Sequence, residues 1–375
     1  MKKIWILMVM TTMFLGNGTN IWGKNHQYSG KENILSPEGK GNNKWISDWG
    51  AQDDVSITSA ILTFNINTPA NPDYTVPVLN SFIISGTGTA GGLEVGPNNV
   101  SLTIVPSVEL KRQNSGNGNP ANFIFTISEN SFLNLDRVFS TAGHTLTDIT
   151  KNGPGTLTLG SAAIVAENFH IDAGMIEFLG STILQGKLDI RKGSATFKKG
   201  AEITHLSLGG YGDYAHLILD AHSGGENEVR GKMLTLSDGM DITINLENGI
   251  SPVLHFDTLD ISGLTGAEDF LIRFTAEEDS LGSPGTFLII DDYTASPSPM
   301  SYEDWEDFFG KIKVDLVKLE LSPTEDEKGF KLNAYGLNDD DDDDDETVPE
   351  PGTWLMLLAG AAWLGGVAWR RKFSD

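Results

Sequence analysis

The chain has 375 residues, of which 39% are hydrophobic, and a net charge of −25. Such an acidic chain repels nucleic acid and anionic membrane surfaces, so we expect no nucleic-acid partner. It has no cysteine, which excludes disulfides, thiolate catalysis, cysteine-ligated zinc and iron–sulfur clusters.

The N-terminus has the layout of a secretory signal peptide over residues 1–18. Lys2 and Lys3 precede a short apolar run, which ends in small residues two apart. The apolar run is too short for a comfortable membrane span. We predict cleavage after Gly18, with Gly23 as the alternative, and export through the Sec pathway.

An all-β domain is predicted to follow. Residues 19–44 are polar and rich in glycine and asparagine, which indicates a leader. Residues 45–337 contain short runs of β-branched and aromatic residues bounded by Gly, Pro or Asn, a pattern typical of strands. The clearest repeats lie in 151–267, and we interpret 268–337 as the cap of the domain.

The repeats favour one architecture over another. In 151–267 a glycine precedes a short alternating strand again and again, at intervals of about 10–20 residues. Because one such strand cannot bury its apolar side alone, stacked strands predict a β-solenoid resembling a right-handed parallel β-helix. Glycine at the corners permits positive φ and close approach. The uneven interval leaves a β-sandwich as the alternative.

Two groups of polar side chains are candidates for chemistry. His216, Asp220 and His222 are evenly spaced and lie on one side of a strand, where they could bind a metal. Polar residues are equally expected on the outer surface of a β-domain, so we predict no metal site and no cofactor.

Four carboxylates crowd a second segment, which we expect to be a short acidic helix or loop: Glu303, Asp304, Glu306 and Asp307. Glycoside hydrolysis needs two carboxylates facing each other across a cleft, and one crowded segment does not provide that. We therefore predict that the protein is not an enzyme. Thr156 and Thr158 have the spacing of a hydroxyl ladder, but the sequence suggests no repeat in register.

The C-terminus combines an acidic and an apolar segment. Residues 338–348 include seven consecutive aspartates, which predict a disordered linker. The uncharged stretch 353–369 would span roughly 25 Å as a helix, slightly less than the hydrocarbon core of about 30 Å. We predict a transmembrane helix whose apolar anchors are Trp354, Leu355, Leu357, Leu358, Trp363, Leu364 and Trp369. The basic residues Arg370, Arg371 and Lys372 would stop transfer on the cytoplasmic side.

The C-terminal segment 349–375 resembles the PEP-CTERM sorting domain. The resemblance rests on Pro349, Glu350 and Pro351, followed by one apolar helix and a basic end. It implies recognition of these three residues by an exosortase, a membrane processing enzyme. It also implies a precursor anchored in the inner membrane, a mature protein at the cell surface or outside the cell, and an association with exopolysaccharide or biofilm.

The middle of the chain is similar, more loosely, to the autotransporter-associated β-strand repeat. Units of that family open with a lysine, two glycines and two leucines at alternate positions, matched here by Lys151, Gly153, Gly155, Leu157 and Leu159. This resemblance implies an elongated β-passenger.

These observations favour a non-enzymatic surface or extracellular-matrix protein with a role in adhesion or scaffolding. A secreted polysaccharide-active enzyme on a β-helix is one alternative, and it would need convergent carboxylates in a groove. A glycan- or ice-binding module is another, and ice binding would need a flat, regular threonine face.

Overall fold

The structure is a computed structural model. It describes residues 25–28, 32–33, 54–58, 61–64, 73–76, 81–86, 91–96, 100–112, 121–140, 145–210, 212, 214–220, 227–246, 252–266, 270–276, 285–315 and 317–336. The predicted signal peptide, acidic linker, sorting signal and membrane anchor lie outside these residues, as does most of the leader.

The described residues are mostly β-strand, and 26 strands form one mixed sheet that is not closed. All strand pairs are parallel except two pairs near the C-terminal end. The parallel pairs follow one another in three series, which we name ladders A, B and C.

Ladder A comprises β5 (Asp73–Val76), β8 (Ser101–Ile104), the first parts of β11 (Phe132–Ser140) and β13 (Thr156–Ile171), β14 (Met175–Phe178), β16 (Gly193–Phe197), β18 (Ala215–Asp220), β20 (Met240–Leu246), β22 (Phe270–Ala276) and β24 (Lys313–Asp315). Ladder B comprises β1 (Asn25–Tyr28), β3 (Asp54–Thr58), β6 (Ser81–Gly86), β9 (Val108–Arg112), later parts of β11 and β13, the first parts of β15 (Thr182–Ile190), β17 (Ala201–Leu208), β19 (Glu228–Ser237) and β21 (Val253–Gly263), and β23 (Gly285–Ile290). Ladder C comprises β2 (Glu32–Asn33), β4 (Ile61–Phe64), β7 (Gly91–Val95), β10 (Asn122–Ile127), β12 (Leu146–Asn152) and the last parts of β13, β15, β17, β19 and β21.

The chain passes through the ladders in a repeating order, A then B then C. Strand β13 runs through all three in one stretch of 16 residues. In the most regular part, Thr156 pairs with Met175 and Met175 pairs with Ser194, a repeat of 19 residues. This repeat lies within the predicted interval of about 10–20 residues. Towards the C-terminal end the repeat is longer, since Met240 pairs with Phe270, a separation of 30 residues.

Alternating burial explains why these segments are strands. In β10 every second residue is buried, as expected where successive side chains point to opposite sides of a strand. Parallel register then places apolar side chains of adjacent strands next to one another. Leu157 pairs with Ile176, and Ile176 pairs with Ala195, and all three are fully buried. The rings of Phe178 and Phe197 stack at 4.6 Å between centroids. The core is therefore built from columns of apolar side chains, one from each successive strand.

Glycine is required at the corner that precedes ladder A. Gly174 has φ +73°, and a Cβ there would lie 2.4 Å from the carbonyl oxygen of Gly153. Gly193 has φ +96°, and its Cβ would lie 2.1 Å from the carbonyl oxygen of Gly174. Both the left-handed conformation and the close approach of neighbouring backbones exclude a side chain. The predicted role is confirmed at Gly174 and Gly193, whereas Gly155 and Gly200 do not have a positive φ.

A C-terminal cap is defined here as α1 (Tyr302–Gly310), β25 (Val317–Pro323) and β26 (Phe330–Gly336). Helix α1 precedes the last parallel strand, β24, and the two other cap strands follow it. β26 pairs antiparallel with both β23 and β25. Helix α1 begins with a capping box between Ser301 and Asp304 and buries Trp305 and Phe309. Trp305 packs against Phe330 of β26, with 5.5 Å between ring centroids.

The acidic segment in the cap, expected as a helix or a loop, is the helix α1. A turn of 3₁₀ helix over Tyr293–Ala295 precedes it. Within the described part of the chain, no helix has the length and apolar character needed to cross a membrane.

Candidate functional site

The structure describes two of the three residues of the His216 group. His216 and Asp220 lie on the outer side of β18, and His222 lies outside the described residues. His216 Nε2 is 2.8 Å from Thr243 Oγ1 and 3.8 Å from Asp241 Oδ1. Among the described residues no group of three His, Asp or Glu side chains could hold a metal ion.

The carboxylates of α1 serve the helix and do not face one another across a cleft. Asp304 accepts the backbone N–H of Ser301 in the capping box, and Asp307 forms an ion pair with Lys311 one turn later. Negative charge in the first turn is favourable for any helix.

The Lys151 motif has a structural explanation. The Lys151 side chain is fully buried, and its Nζ donates hydrogen bonds to the carbonyl oxygens of Gly153, Ala173 and Asn152 at 2.7, 2.9 and 3.2 Å. Burial lowers the pKa of Lys151 to about 8. Leu157 is fully buried in the core. Each position of the motif therefore contributes to packing or to a corner of the chain.

The outer side of ladder A carries hydroxyl groups in register. One column reads Thr103, Asn134, Thr158, Glu177, Thr196, Ile218 and Thr243, with threonine at every second position. The pair of Thr156 and Thr158 is not repeated on the neighbouring strands, as expected, since Thr156 pairs with Phe132 and Met175. Asn134 Nδ2 donates to Thr103 Oγ1 at 3.2 Å, and Thr158 Oγ1 donates to Glu177 at 3.3 Å. Asn134 and Glu177 thus engage neighbouring hydroxyls, and Ile218 places an apolar side chain in the column. These residues interrupt the flat lattice of threonines that ice binding would need.

A further candidate site is a trough on the outer side of ladder B, where the chain turns towards ladder C. Its volume is about 620 Å³, and a second hollow of about 480 Å³ adjoins it through Ile183, Glu202 and Arg230. The floor is apolar, formed by buried Leu184 and Ile203. The trough is lined by Ile183, Leu184, Gln185, Glu202, Ile203, Thr204, Arg230, Gly231, Lys232, His255, Asp257 and Asp291.

Parallel register places the polar side chains of the trough in a row. Ile183 pairs with Glu202, Glu202 with Arg230 and Arg230 with His255. Strands in a ladder are about 4.8 Å apart, so equivalent side chains recur at that distance along the trough. This row could not be predicted from the sequence, because its members are separated by loops of different length.

His255 lies between two carboxylates at one end of the trough. Its Nδ1 is 2.7 Å from Glu228 Oε1, and its Nε2 is 2.9 Å from Asp291 Oδ1. Although burial alone would lower the pKa of His255, the bonds to Asp291 and Glu228 and their charges raise it. Burial raises the pKa of Glu228 in turn, but hydrogen bonds from Arg230 and His255 lower it overall. The carboxylate is thus held ionised, which does not suit a general acid.

A second polar cluster lies on the outer side of ladder C around Asp189, whose side chain is 1% exposed. Arg191 Nε donates to Asp189 Oδ2 at 2.8 Å, and Lys187 Nζ is 3.3 Å from Oδ1. His170 Nδ1 is 3.2 Å from the same carboxylate, and Arg191 donates to His170 Nε2 at 3.2 Å. Burial raises the pKa of Asp189, but these hydrogen bonds and charges hold it well below its usual range. The Asp189 carboxylate therefore connects β15 with the neighbouring strand β13 through His170.

The predicted sorting residues Pro349, Glu350 and Pro351 lie outside the described residues, as do the predicted anchor and the stop-transfer residues. No match to a curated protein is found. Residues 347–372 match the family model of the PEP-CTERM protein-sorting motif, in agreement with the resemblance inferred from the sequence. The match indicates that the chain is an exosortase substrate, processed at the membrane and sorted to the outside of the cell.

Proposed function

We propose that this chain is a non-enzymatic structural protein of the cell surface or extracellular matrix, with a role in adhesion or scaffolding linked to exopolysaccharide or biofilm. The match of residues 347–372 to the sorting motif carries the proposal. In the proposed route, a signal peptide ending at Gly18 directs Sec export, and the apolar segment 353–369 holds the precursor in the inner membrane. The exosortase then acts near Pro349, Glu350 and Pro351.

The exported body is proposed to be a β-solenoid. Parallel pairing in three ladders, visited in the repeating order A, B, C, supports a solenoid. A sandwich of antiparallel sheets would instead pair most neighbours antiparallel. A solenoid gives an elongated surface and needs a closed end, since open strand edges invite aggregation. The antiparallel cap and α1 fit that need.

The ionisation of the carboxylates supports a role without catalysis. A retaining or inverting glycosidase needs one carboxyl group with a raised pKa, whereas the pKa values of Glu228 and Asp189 are lowered. The trough of ladder B favours a second candidate, a glycan-contacting module. Its row of donors and acceptors over an apolar floor could lie along an extended polymer of hydroxylated units.

The proposed route is tested by replacing Pro349, Glu350 and Pro351 with alanine in the native host. We expect the wild-type body at the surface or in the medium, accessible to added protease, and the variant retained in the inner-membrane fraction. Variant protein found outside the cell in wild-type amounts would contradict the proposal. Incubation of the exported protein with polysaccharide from the host, followed by analysis of soluble sugar ends, tests the absence of catalysis.

A further inference from the structure

The parallel body and the C-terminal cap meet at a narrow junction. β21 and β23 share only three register pairs, from Leu254 to Phe256 on β21, and β22 and β24 also share three. By contrast, β19 and β21 share eight. Because β26 pairs with the body through β23, this short ladder is the strand pairing that connects the antiparallel strands of the cap to β21.

His255 lies at this junction and contacts three consecutive strands of ladder B. It belongs to β21, Glu228 belongs to β19, and Asp291 directly follows β23. The backbone N–H groups of Asp291 and Asp292 donate to carbonyl oxygens of Phe256 and Asp257 at 3.0 and 2.8 Å, next to the imidazole. The imidazole therefore joins the last rung of the ladder to the two rungs before it.

The two bonds of His255 require an imidazolium. An ionised carboxylate only accepts hydrogen bonds, so Glu228 and Asp291 can both be satisfied only if both ring nitrogens carry a proton. A neutral imidazole has a single N–H and must release one of the two carboxylates. We propose that His255 is a pH-sensitive clasp, which holds the cap to the body while it is protonated and loosens the junction when it loses a proton.

The surrounding charges favour the protonated form. Carboxylates outnumber cations around the ring, and a raised pKa of His255 agrees with this balance. The charged groups facing the ring from β17, β19, its own strand β21 and the segment after β23 are Glu202, Glu228, Arg230, Lys232, Asp257 and Asp291.

The pH window follows from the direction of the shift. The pKa of His255 is raised in the folded state, so its contribution is complete below the unfolded value near 6.5. That contribution is lost as the pH rises through the folded pKa. The junction should therefore be closed in mildly acidic surroundings and loosen in mildly alkaline ones. Loosening would free the edge of β21, and a free parallel edge is a site for pairing with another strand.

Hydrogen exchange of the full-length chain tests the clasp, with rates corrected for the intrinsic effect of pH. We expect the protection factors of amides in β23 and β26 to fall roughly three- to tenfold between pH 5.5 and 8. The protection factors of amides in β13 and β15 should stay unchanged. His255→Gln should give the low protection at both pH values. His216→Gln, which changes a histidine on the outer side of ladder A, should keep the wild-type pH dependence.

Two results would overturn the clasp. The first is equal protection of β23 and β26 at both pH values in the wild-type chain. The second is an unchanged pH dependence in His255→Gln. NMR of the ring nitrogens gives an independent readout, in which both should be protonated at pH 6. A neutral ring at pH 6 would refute the proposal even if every variant folds. None of these outcomes depends on how the protein is exported or on what it contacts.

Discussion

Replacing Lys151 with methionine removes a fully buried ammonium group and leaves three carbonyl oxygens without its hydrogen bonds. Removing the hydrogen-bond partner of a buried polar group lowers the free energy of unfolding by about 1–3 kcal/mol. For three carbonyl oxygens the loss is therefore about 6 kcal/mol. Methionine also relieves the burial of a charge. The lowering of the pKa of Lys151 from 10.5 to about 8 corresponds to about 3 kcal/mol. The net loss of unfolding free energy at pH 7 should therefore be about 3 kcal/mol.

The stability difference between wild type and Lys151→Met should depend on pH. Below pH 8 Lys151 is protonated in both the folded and the unfolded chain. Between pH 8 and 10.5 the unfolded chain binds more protons at this site than the folded chain does, so its contribution to stability rises with pH. The stability of the methionine variant does not gain this contribution, because methionine does not titrate. The difference between wild type and Lys151→Met should grow from about 3 to about 6 kcal/mol.

Urea denaturation at pH 7 and pH 10.5 measures both values, followed by far-ultraviolet circular dichroism. Lys199→Met is the matched control, because Lys199 is exposed, and its effect should stay within about 0.5 kcal/mol at both pH values. A stability difference for Lys151→Met that stays constant or shrinks with pH would contradict a lowered pKa of Lys151 in the folded chain. It would mean that the three carbonyl oxygens stabilise the ammonium charge of Lys151 as well as water does in the unfolded chain.

Three further predictions concern the corners, the cap and the register. Gly174→Ala should destabilise the protein by about 2–3 kcal/mol in the same denaturation assay, because φ is positive and a backbone carbonyl is in the way. Gly310→Ala, with open space at Cβ, should stabilise α1 by about 0.5–1 kcal/mol, and equal effects at the two glycines would contradict the account. Trp305→Ala should cost about 3–5 kcal/mol. Trp305→Phe should cost less than about 1.5 kcal/mol, since the indole N–H has no hydrogen-bond partner among the described residues; similar losses would mean that the N–H matters. Cysteines at Ser194 and His216, which are in register, should form a disulfide detectable by mass, because adjacent strands are about 4.8 Å apart. A pair displaced by two residues should not, and equal cross-linking of both pairs would argue against the parallel register.

The strand character was predictable because it is local. Alternating apolar residues and turn glycines predict a strand wherever they occur, and the glycine before Met175 was correctly expected to need positive φ. The acidic segment of α1 was ambiguous in sequence, since its helix is stabilised by a capping box and by contacts with Phe330, far along the chain.

Register across strands was not predictable, and the candidate sites depend on it. Glu202, Arg230 and His255 become neighbours only through pairing, and the loops between them differ in length. The threonine column of ladder A was missed for the same reason. Periodicity within a strand can be seen in one sequence, whereas the partner of a strand is fixed by packing of the whole domain.

Intact-mass spectrometry of the exported protein tests whether the chain is exported and then processed by an exosortase. We expect a body that begins after Gly18 or Gly23 and lacks roughly the last 25 residues, because the helical span and its basic end must stay in or behind the membrane. Cells without the exosortase should retain the unprocessed precursor. An exported product that still carries Arg370, Arg371 and Lys372 would contradict the account.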